Sequence, residues 1–250
     1  MYPKKELAQL VISACTQFNI DTVVISPGSR NAPLTVGFSN HPKIEALSVV
    51  DERCAAFFAL GIAQQTQKSV AILCTSGSAL LNYYPAIAEA FYSDIPLVII
   101  SADRPKQLID IGDGQTIRQE NVFENHILFS ANLIENEKFK TRNSQLIGKA
   151  LQIAVSQKGP VHINVPFDEP LYETVPKLEE FHFPNRSMSS LDNANINYEE
   201  LSKIWNAAEK KIIVVGVNYP DDALHQLMDL YADDDSVLLF TETTSNLHHN

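Results

Sequence analysis

Short runs of β-branched and aliphatic residues recur along this chain, each ending on a turn or polar cluster and followed by a stretch with helical spacing. That alternation is the signature of a parallel sheet covered by helices, an α/β fold. The runs predict strands over Thr22–Ser26, Ala46–Val50, Val70–Thr75, Leu97–Ser101 and Val161–Val165. Amphipathic spacing predicts an opening helix over Lys4–Phe18, then helices over Ala32–Ser39, Arg53–Gln65, Ala79–Tyr92 and Ser144–Ser156, with a shorter one over Ile117–Phe123. Asp103–Gln115 is too long for an idle connector in such a fold and is a candidate binding loop. From Phe167 onward Pro170, Pro176 and Pro184, then the polar stretch Asn185–Asn197, predict an extended linker. A second αβ pattern follows, with strand-like Lys211–Gly216, helix-like Asp221–Tyr231 and strand-like Ser236–Phe240. The expected organisation is a first domain over 1–184, a linker over 185–198 and a partial second α/β domain over 199–250. So few strands leave parallel faces uncovered, and the chain is expected to be a piece of something longer.

The strand ends carry the candidate chemistry, because open α/β sheets bind ligands at the carboxyl ends of their strands. Asp51-Glu52-Arg53 lies between a strand-like and a helix-like run. Glu52, flanked by Val49, Val50, Phe57 and Phe58, is a candidate for a raised pKa, since burial disfavours the charged form. Asp51 and Glu52 suit a helix cap and first-turn acid equally well. Ser26-Pro27-Gly28-Ser29-Arg30 combines a flexible turn, hydroxyls and a guanidinium that can fork onto a carboxylate or phosphate. Thr75-Ser76-Gly77-Ser78 opens a helix whose backbone N–H groups suit an anion or polar ring. Ser101-Ala102-Asp103-Arg104-Pro105 completes the set. Each alone is a commonplace turn or cap; their shared rim is what points to a site.

Composition narrows the class. A chain of 250 residues that is 45% hydrophobic and 20% charged is ordinary for a globular protein. Its net charge of −11 disfavours nucleic acid, and no apolar window approaches a membrane span. The three cysteines, Cys15, Cys54 and Cys74, lie in apolar runs without C-x-x-C spacing, which argues for reduced thiols and a cytoplasmic protein. Neither G-x-G-x-x-G, G-x-x-x-x-G-K-[ST] nor G-x-S-x-G is present where a nucleotide or hydrolase site needs it. His248-His249 has no carboxylate partner spaced with it, so no metal site is expected there.

Taken in order, the segments Ile25–Leu34, Asp51–Gly61, Cys74–Ala79 with Asn82–Pro85, Ser101–Pro105, Gln115–Gln119 and His162–Phe167 resemble the N-terminal portion of the thiamine-diphosphate-dependent 2-succinyl-5-enolpyruvyl-6-hydroxy-3-cyclohexene-1-carboxylate synthase family of menaquinone biosynthesis. The resemblance implies a pyrimidine-binding domain followed by the start of a central domain. It implies a transferase that uses thiamine diphosphate with Mg²⁺ or Mn²⁺, decarboxylates 2-oxoglutarate and adds the succinyl-semialdehyde unit to isochorismate. By that likeness Glu52 bonds the N1′ nitrogen of the aminopyrimidine and is the catalytic residue. Pro27, Thr75, Ser76 and Asn82 border the cofactor; Ser29, Arg30, Arg104 and Gln115 hold substrate carboxylates and hydroxyls. The metal and diphosphate ligands are expected in a further domain outside this chain, so the chain alone is expected to be inactive and the full-length protein a homodimer or homotetramer. The aromatic helix Ala79–Tyr92 could supply the partner surface. Gly114 stands where the family commonly has Asn. Gly112-Asp113-Gly114 opens like the family's metal-diphosphate motif, yet lacks a preceding strand and a following Asn; its glycines fit a loop that closes over a ligand. Competing readings are an acetolactate-synthase-like 2-oxo-acid enzyme, which shares the glutamate without needing Arg30 and Arg104, and a binding module without chemistry.

Overall fold

The computed structural model describes residues 1–179, 181, 183, 196–231 and 233–247, and the chain divides into two compact units, Met1–Met188 and Ser189–Asn250. In chain order the first unit contains β1 (Tyr2–Pro3), α1 (Glu6–Gln17), β2 (Thr22–Ile25), α2 (Ala32–Asn40), β3 (Glu45–Ser48), α3 (Glu52–Thr66) and β4 (Val70–Cys74). A 3₁₀ helix (Gly77–Tyr83) then leads into α4 (Tyr84–Tyr92), β5 (Leu97–Asp103), β6 (Phe129–Asn132), α5 (Lys140–Gln157), β7 (Val161–Pro166) and β8 (Thr174–Val175). Strands β2 to β7 form one parallel sheet in the order β3-β2-β4-β5-β7-β6, while β1 and β8 pair separately and antiparallel.

Burial explains this order. Every residue of β4 and β5 is buried, as central parallel strands require, whereas β3 at the edge has none fully buried. Successive strand residues feed opposite cores: Val23, Ile25, Leu73, Val98 and Ile100 pack against α1, α2 and α5, and Val24, Ile72, Ile99 and Leu97 against α3, the 3₁₀ helix and α4. Asp51 caps α3 by accepting from the Cys54 N–H at 2.9 Å. Since α2 leaves β2 toward one face and the 3₁₀ helix leaves β4 toward the other, adjacent β2 and β4 form a chain-reversal point with a crevice at their carboxyl ends. The two loops meet there so closely that a Cβ built on Gly28 would lie 2.5 Å from Thr75 Cβ.

Several expectations need correction. β3 stops at Ser48, paired with the last residue of β2, so Val49 and Val50 lie beyond it. The expected helix over Ile117–Phe123 does not form; Asn121 sits at φ 59, which breaks helical backbone. The segment from Phe167 is no linker, because Phe167, Leu171, Phe181 and Phe183 are buried in the α1/α5 core. Tyr83 of the expected aromatic interface helix is likewise core, at 0% exposure, while Tyr92 is exposed. Residues 185–195 of the expected linker over 185–198, and the His248-His249 pair, lie outside the described residues.

The second unit contains α6 (Tyr198–Ala207), β9 (Lys211–Val215), α7 (Asp222–Asp229) and β10 (Val237–Thr241), with β9 and β10 parallel. Its Asp221 caps α7 by accepting from Ala223 N and Leu224 N. Ile212, Val214, Leu238 and Phe240 are exposed on this pair of strands.

A polar seam crosses β5 and β7 on the α3/α4 face. Ser101 is in register with Asn164, and its Oγ donates to Asn164 Oδ1 at 2.8 Å. With its proton so used, the hydroxyl accepts from His162 Nε2 at 2.7 Å, which assigns that ring proton and leaves the buried Nδ1 without a partner among the described residues. Burial holds the His162 imidazole down to about 3, so it is neutral. Asn164 Nδ2 in turn donates to Asp103 Oδ2 at 2.8 Å. Burial pushes the Asp103 carboxyl up to about 6, against the opposing pull of that hydrogen bond and of Arg30.

Two outcomes follow from this packing. Gly28→Ala is expected to destabilise the chain by about 1–3 kcal/mol through overpacking against Thr75. Gly114→Ala, whose Cβ meets nothing within 4 Å, should change stability by less than about 0.5 kcal/mol; urea unfolding compares the two. Because Asp103 takes its proton more readily folded than unfolded, the group favours the folded state at low pH, and that contribution is lost as pH rises from about 4 through about 6. Relative to wild type, Asp103→Asn should therefore gain on the order of 2–3 kcal/mol at most between pH 4 and pH 7, read from paired urea curves; parallel curves at all pH values would contradict this.

Candidate functional site

The crevice at the β2/β4 reversal gathers most of the residues expected there. Ser26, at the end of β2, donates from Oγ to the Val49 carbonyl at 3.0 Å and accepts from the Tyr83 hydroxyl at 3.4 Å, tying the ends of β2 and β3 to the 3₁₀ helix. Pro27 and Ser29 stand exposed on the loop above, and Thr75 and Ser76 line its buried floor. Gly77 takes φ +87, a left-handed conformation suited to glycine, and lets the chain turn sharply from β4 into the 3₁₀ helix. Asn82 lies farther along that helix, exposed, with its amide turned back to the Ser78 and Ala79 carbonyls at 3.3 and 3.4 Å.

Glu52 occupies the first turn of α3, where the helix dipole favours an anion. It is half-buried, and its carboxyl has no hydrogen-bond partner among the described residues. Its charge reaches the buried Cys74 thiol and Tyr83 phenol, both pushed up chiefly by burial and further by Glu52. The greasy enclosure expected around it is made only in part by the described residues: Val49 packs on the core, whereas Val50, just before α3, is 76% exposed, and Phe57 and Phe58, at 45% and 49%, project from the outer side of α3 while Ala55, Ala56 and Ala59 face the sheet.

The expected substrate cations differ sharply from one another. Arg30 is only 6% exposed; its Nη1 donates to the Phe167 carbonyl at 2.8 Å, its Nη2 lies 3.2 Å from Glu169, and its Nε has no partner among the described residues. It reaches over the strand ends toward Asp103, whose carboxyl its charge lowers. Arg104, with 22% of its side chain exposed, stands at the start of the long loop, donating from Nη2 to the Gly114 carbonyl at 3.1 Å and lying 3.5 Å from Asp113, with its buried Nε making no hydrogen bond among the described residues. Gln115 follows at φ 59, its carbonyl passing over Gly77. Beside Arg104, a cleft of about 790 Å³ opens at the ends of β5, β6 and β7, bordered by Asp103, Arg118, Asn132, Arg142 and Asn164.

Sequence reasoning missed the residue that joins these parts. Gln119 is 1% exposed; its Oε1 accepts from the Gly77 N–H at 2.8 Å, and its Nε2 donates to Asn164 Oδ1 at 2.9 Å and the Ala102 carbonyl at 3.1 Å. The available signal was the same-face polar spacing of Ser101 with Asp103 and of His162 with Asn164, which predicts a buried polar seam in need of a further partner. Chemically the crevice offers an acid without a hydrogen-bond partner among the described residues, hydroxyls and the part-exposed Arg104 guanidinium, which suits a polar aromatic heterocycle and an anionic co-ligand. Among the described residues no group of three or more His, Cys, Asp or Glu is placed to hold a metal ion, and no helix is long and apolar enough to cross a membrane.

Comparison with known proteins shows the family. Residues 5–128 match the family model for the thiamine pyrophosphate enzyme, N-terminal TPP binding domain. Over its whole length the chain is 56% identical to 2-succinyl-5-enolpyruvyl-6-hydroxy-3-cyclohexene-1-carboxylate synthases from Flavobacterium johnsoniae and Flavobacterium psychrophilum, covering 45% of each. Over 99% of its length it is 52% identical to the synthase so named from Christiangramia forsetii, covering 46% of it. The chain thus spans less than half the length of these curated relatives. The chain belongs to the thiamine pyrophosphate enzymes, within the 2-succinyl-5-enolpyruvyl-6-hydroxy-3-cyclohexene-1-carboxylate synthase family.

Proposed function

We propose that this chain is the pyrimidine-binding part of a thiamine-diphosphate-dependent transferase that decarboxylates 2-oxoglutarate and joins the remaining four-carbon unit to isochorismate. The observation that carries this reading is the half-buried carboxyl of Glu52, without a hydrogen-bond partner among the described residues, on the same helix face as Ala55, Ala56 and Ala59 and close enough to Cys74 and Tyr83 for its charge to raise both. The residues present fit one half of the cofactor. Glu52 can share a proton with a ring nitrogen, and Thr75 and Ser76 give a tight floor. When bound, thiamine diphosphate supplies the thiazolium that acts as the electron sink for decarboxylation.

The chain's own groups divide the rest of the work. Glu52 holds or releases the proton at the pyrimidine N1′. Arg104, with Ser29 and Gln115, presents donors to a substrate carboxylate or hydroxyl. Arg30 reaches such a carboxylate only by exchanging exposed Glu169 for it, since its Nη1 is already committed to the Phe167 carbonyl. The diphosphate and its Mg²⁺ or Mn²⁺ would be held by another part of the full-length protein. Assembly as a homodimer or homotetramer is supported by the aromatic surface that Phe57 and Phe58 expose on the outer side of α3.

In the full-length protein, Glu52→Gln should lower turnover by about 10²–10⁴-fold with an unchanged circular dichroism spectrum; activity within a few-fold of wild type would sink this assignment. Arg104→Ala should raise the KM for 2-oxoglutarate about tenfold or more while thiamine diphosphate affinity, read calorimetrically, changes less than about twofold. Arg30→Ala should raise that KM and also lower the thermal midpoint, because it frees the Phe167 carbonyl; loss of cofactor affinity in both variants would argue against these roles.

A further inference from the structure

The loop between β5 and β6 is stitched mostly to itself. Arg118 pairs with Asp110 at 2.8 Å, Lys106 with Glu120 at 3.4 Å, and Thr116 donates to the Asp113 carbonyl at 2.9 Å. Arg118 and Lys106 are more than 80% exposed in these pairs, and surface pairs of that kind hold a loop weakly. A Cβ on Gly112 or Gly114 would meet nothing within 4 Å, so the middle of the loop is unpacked. Among the described residues two contacts attach it to the turn after β4. One is the Gln119 side chain, which accepts from Gly77 N–H and donates to Ala102 O and Asn164 Oδ1. The other is the Gln115 backbone, seated so close over Gly77 that a Cβ there would lie 2.9 Å from the Gln115 carbonyl oxygen.

We propose that Gln119 is a positioning residue that clamps the Asp103–Gln119 loop to the Thr75–Gly77 turn, so that a ligand on that turn decides how firmly the loop carrying Arg104 and Gln115 is held over the strand ends. The physical basis is the shared amide. Gly77 N–H points at Gln119 rather than outward, and a buried donor that loses its acceptor pays the whole desolvation cost. Ordering the turn therefore favours the arrangement in which Gln119 stays in place, and Gln119 in place favours the closed loop. Gln119→Met keeps the side chain's length and removes both ends of the clamp. The proposal rests on the cofactor reading above for the identity of the ligand, though not for the clamp itself.

Trypsin cleavage after Lys106 in the full-length protein reads the loop directly, since the cut requires it to open. For wild type, saturating thiamine diphosphate with Mg²⁺ should slow that cleavage roughly tenfold. In Gln119→Met the same addition should protect less than about twofold although the cofactor still binds, with affinity weakened roughly tenfold by calorimetry. Equal protection in both proteins, or bound cofactor with no protection in wild type, overturns the clamp. If wild type binds no thiamine diphosphate, the cofactor reading fails, and the clamp is then judged without ligand: Gln119→Met must be cut several-fold faster than wild type, and equal rates overturn it. Should Gln119→Met not fold, amide exchange of wild type decides; Gly77 N–H must exchange more slowly than the loop amides of residues 110–114, and exchange at their rate overturns the proposal.

Discussion

Two parallel neighbours, β2 and β4, send their chains to opposite faces of the sheet, and that divergence is what everything else in the first unit is arranged around. Diverging loops leave a gap above the strand ends that neither helix layer can fill. The gap stays narrow because the Gly28 backbone is seated directly on Thr75, a contact that a side chain would prevent. Ser26 then bridges to Val49 and Tyr83, so the end of the edge strand β3 and the start of α3 are fixed against the same point. Glu52 inherits its place from this sequence of contacts. Its place at the start of α3 is a property of how three strand ends are tied together, and among the described residues no hydrogen-bond partner of its own carboxyl sets it.

The polar seam on β5 and β7 shows the same economy one step along the sheet. Burying Ser101, His162, Asn164, Asp103 and Gln119 between apolar layers is costly unless their hydrogen bonds close on one another. They very nearly do. Protons run in one direction from His162 to Ser101 to Asn164, and from Asn164 to Asp103, with Gln119 bonding Asn164 and carrying the seam to Gly77. The residual costs sit on His162 Nδ1 and on the Asp103 carboxyl. A core with no function to serve could have been apolar here, since replacing such networks by packed hydrophobics is often neutral or stabilising. What the polar version gains is a fixed link from the sheet interior to the β4 turn and the long loop.

Local pattern was enough for much of this. Five of the six strands of the central sheet, most of the helices that cover it and the polar turns at the strand ends are readable from runs such as Val70–Cys74 and turns such as Ser26–Arg30, because a fully buried parallel strand and a Gly-containing turn depend on few distant residues. β6 was not legible: Phe129–Asn132 is short and only partly buried, which leaves no clean periodicity. α6 was overlooked although Asn197 caps it by accepting from Glu200 N and Leu201, Ile204 and Trp205 repeat at helical spacing. The role of Arg30 could not be read locally at all. Its partners, Phe167 and Glu169, are more than a hundred residues away, and only the closed sheet brings them over the end of β2. Glu52's surroundings failed for a related reason, since Val50, Phe57 and Phe58 are adjacent in sequence but face outward in this chain.

Charge sets the remaining constraint. A chain of net charge −11 repels anions at long range, so a ligand carboxylate must be drawn in by cations within about a Debye length of it. The cations near the crevice are not idle, however. Arg30 is shared with Glu169, Arg104 with Asp113 and Arg118 with Asp110. Each internal acid keeps its guanidinium oriented and lowers the cost of holding like charges together, yet each must be displaced or accommodated when an anion arrives. An incoming group therefore gains only the difference between its own hydrogen bonds and those it replaces. That arithmetic favours a ligand able to satisfy two guanidinium edges at once over a simple anion, and it makes selectivity depend on shape and on the loop's closure more than on charge.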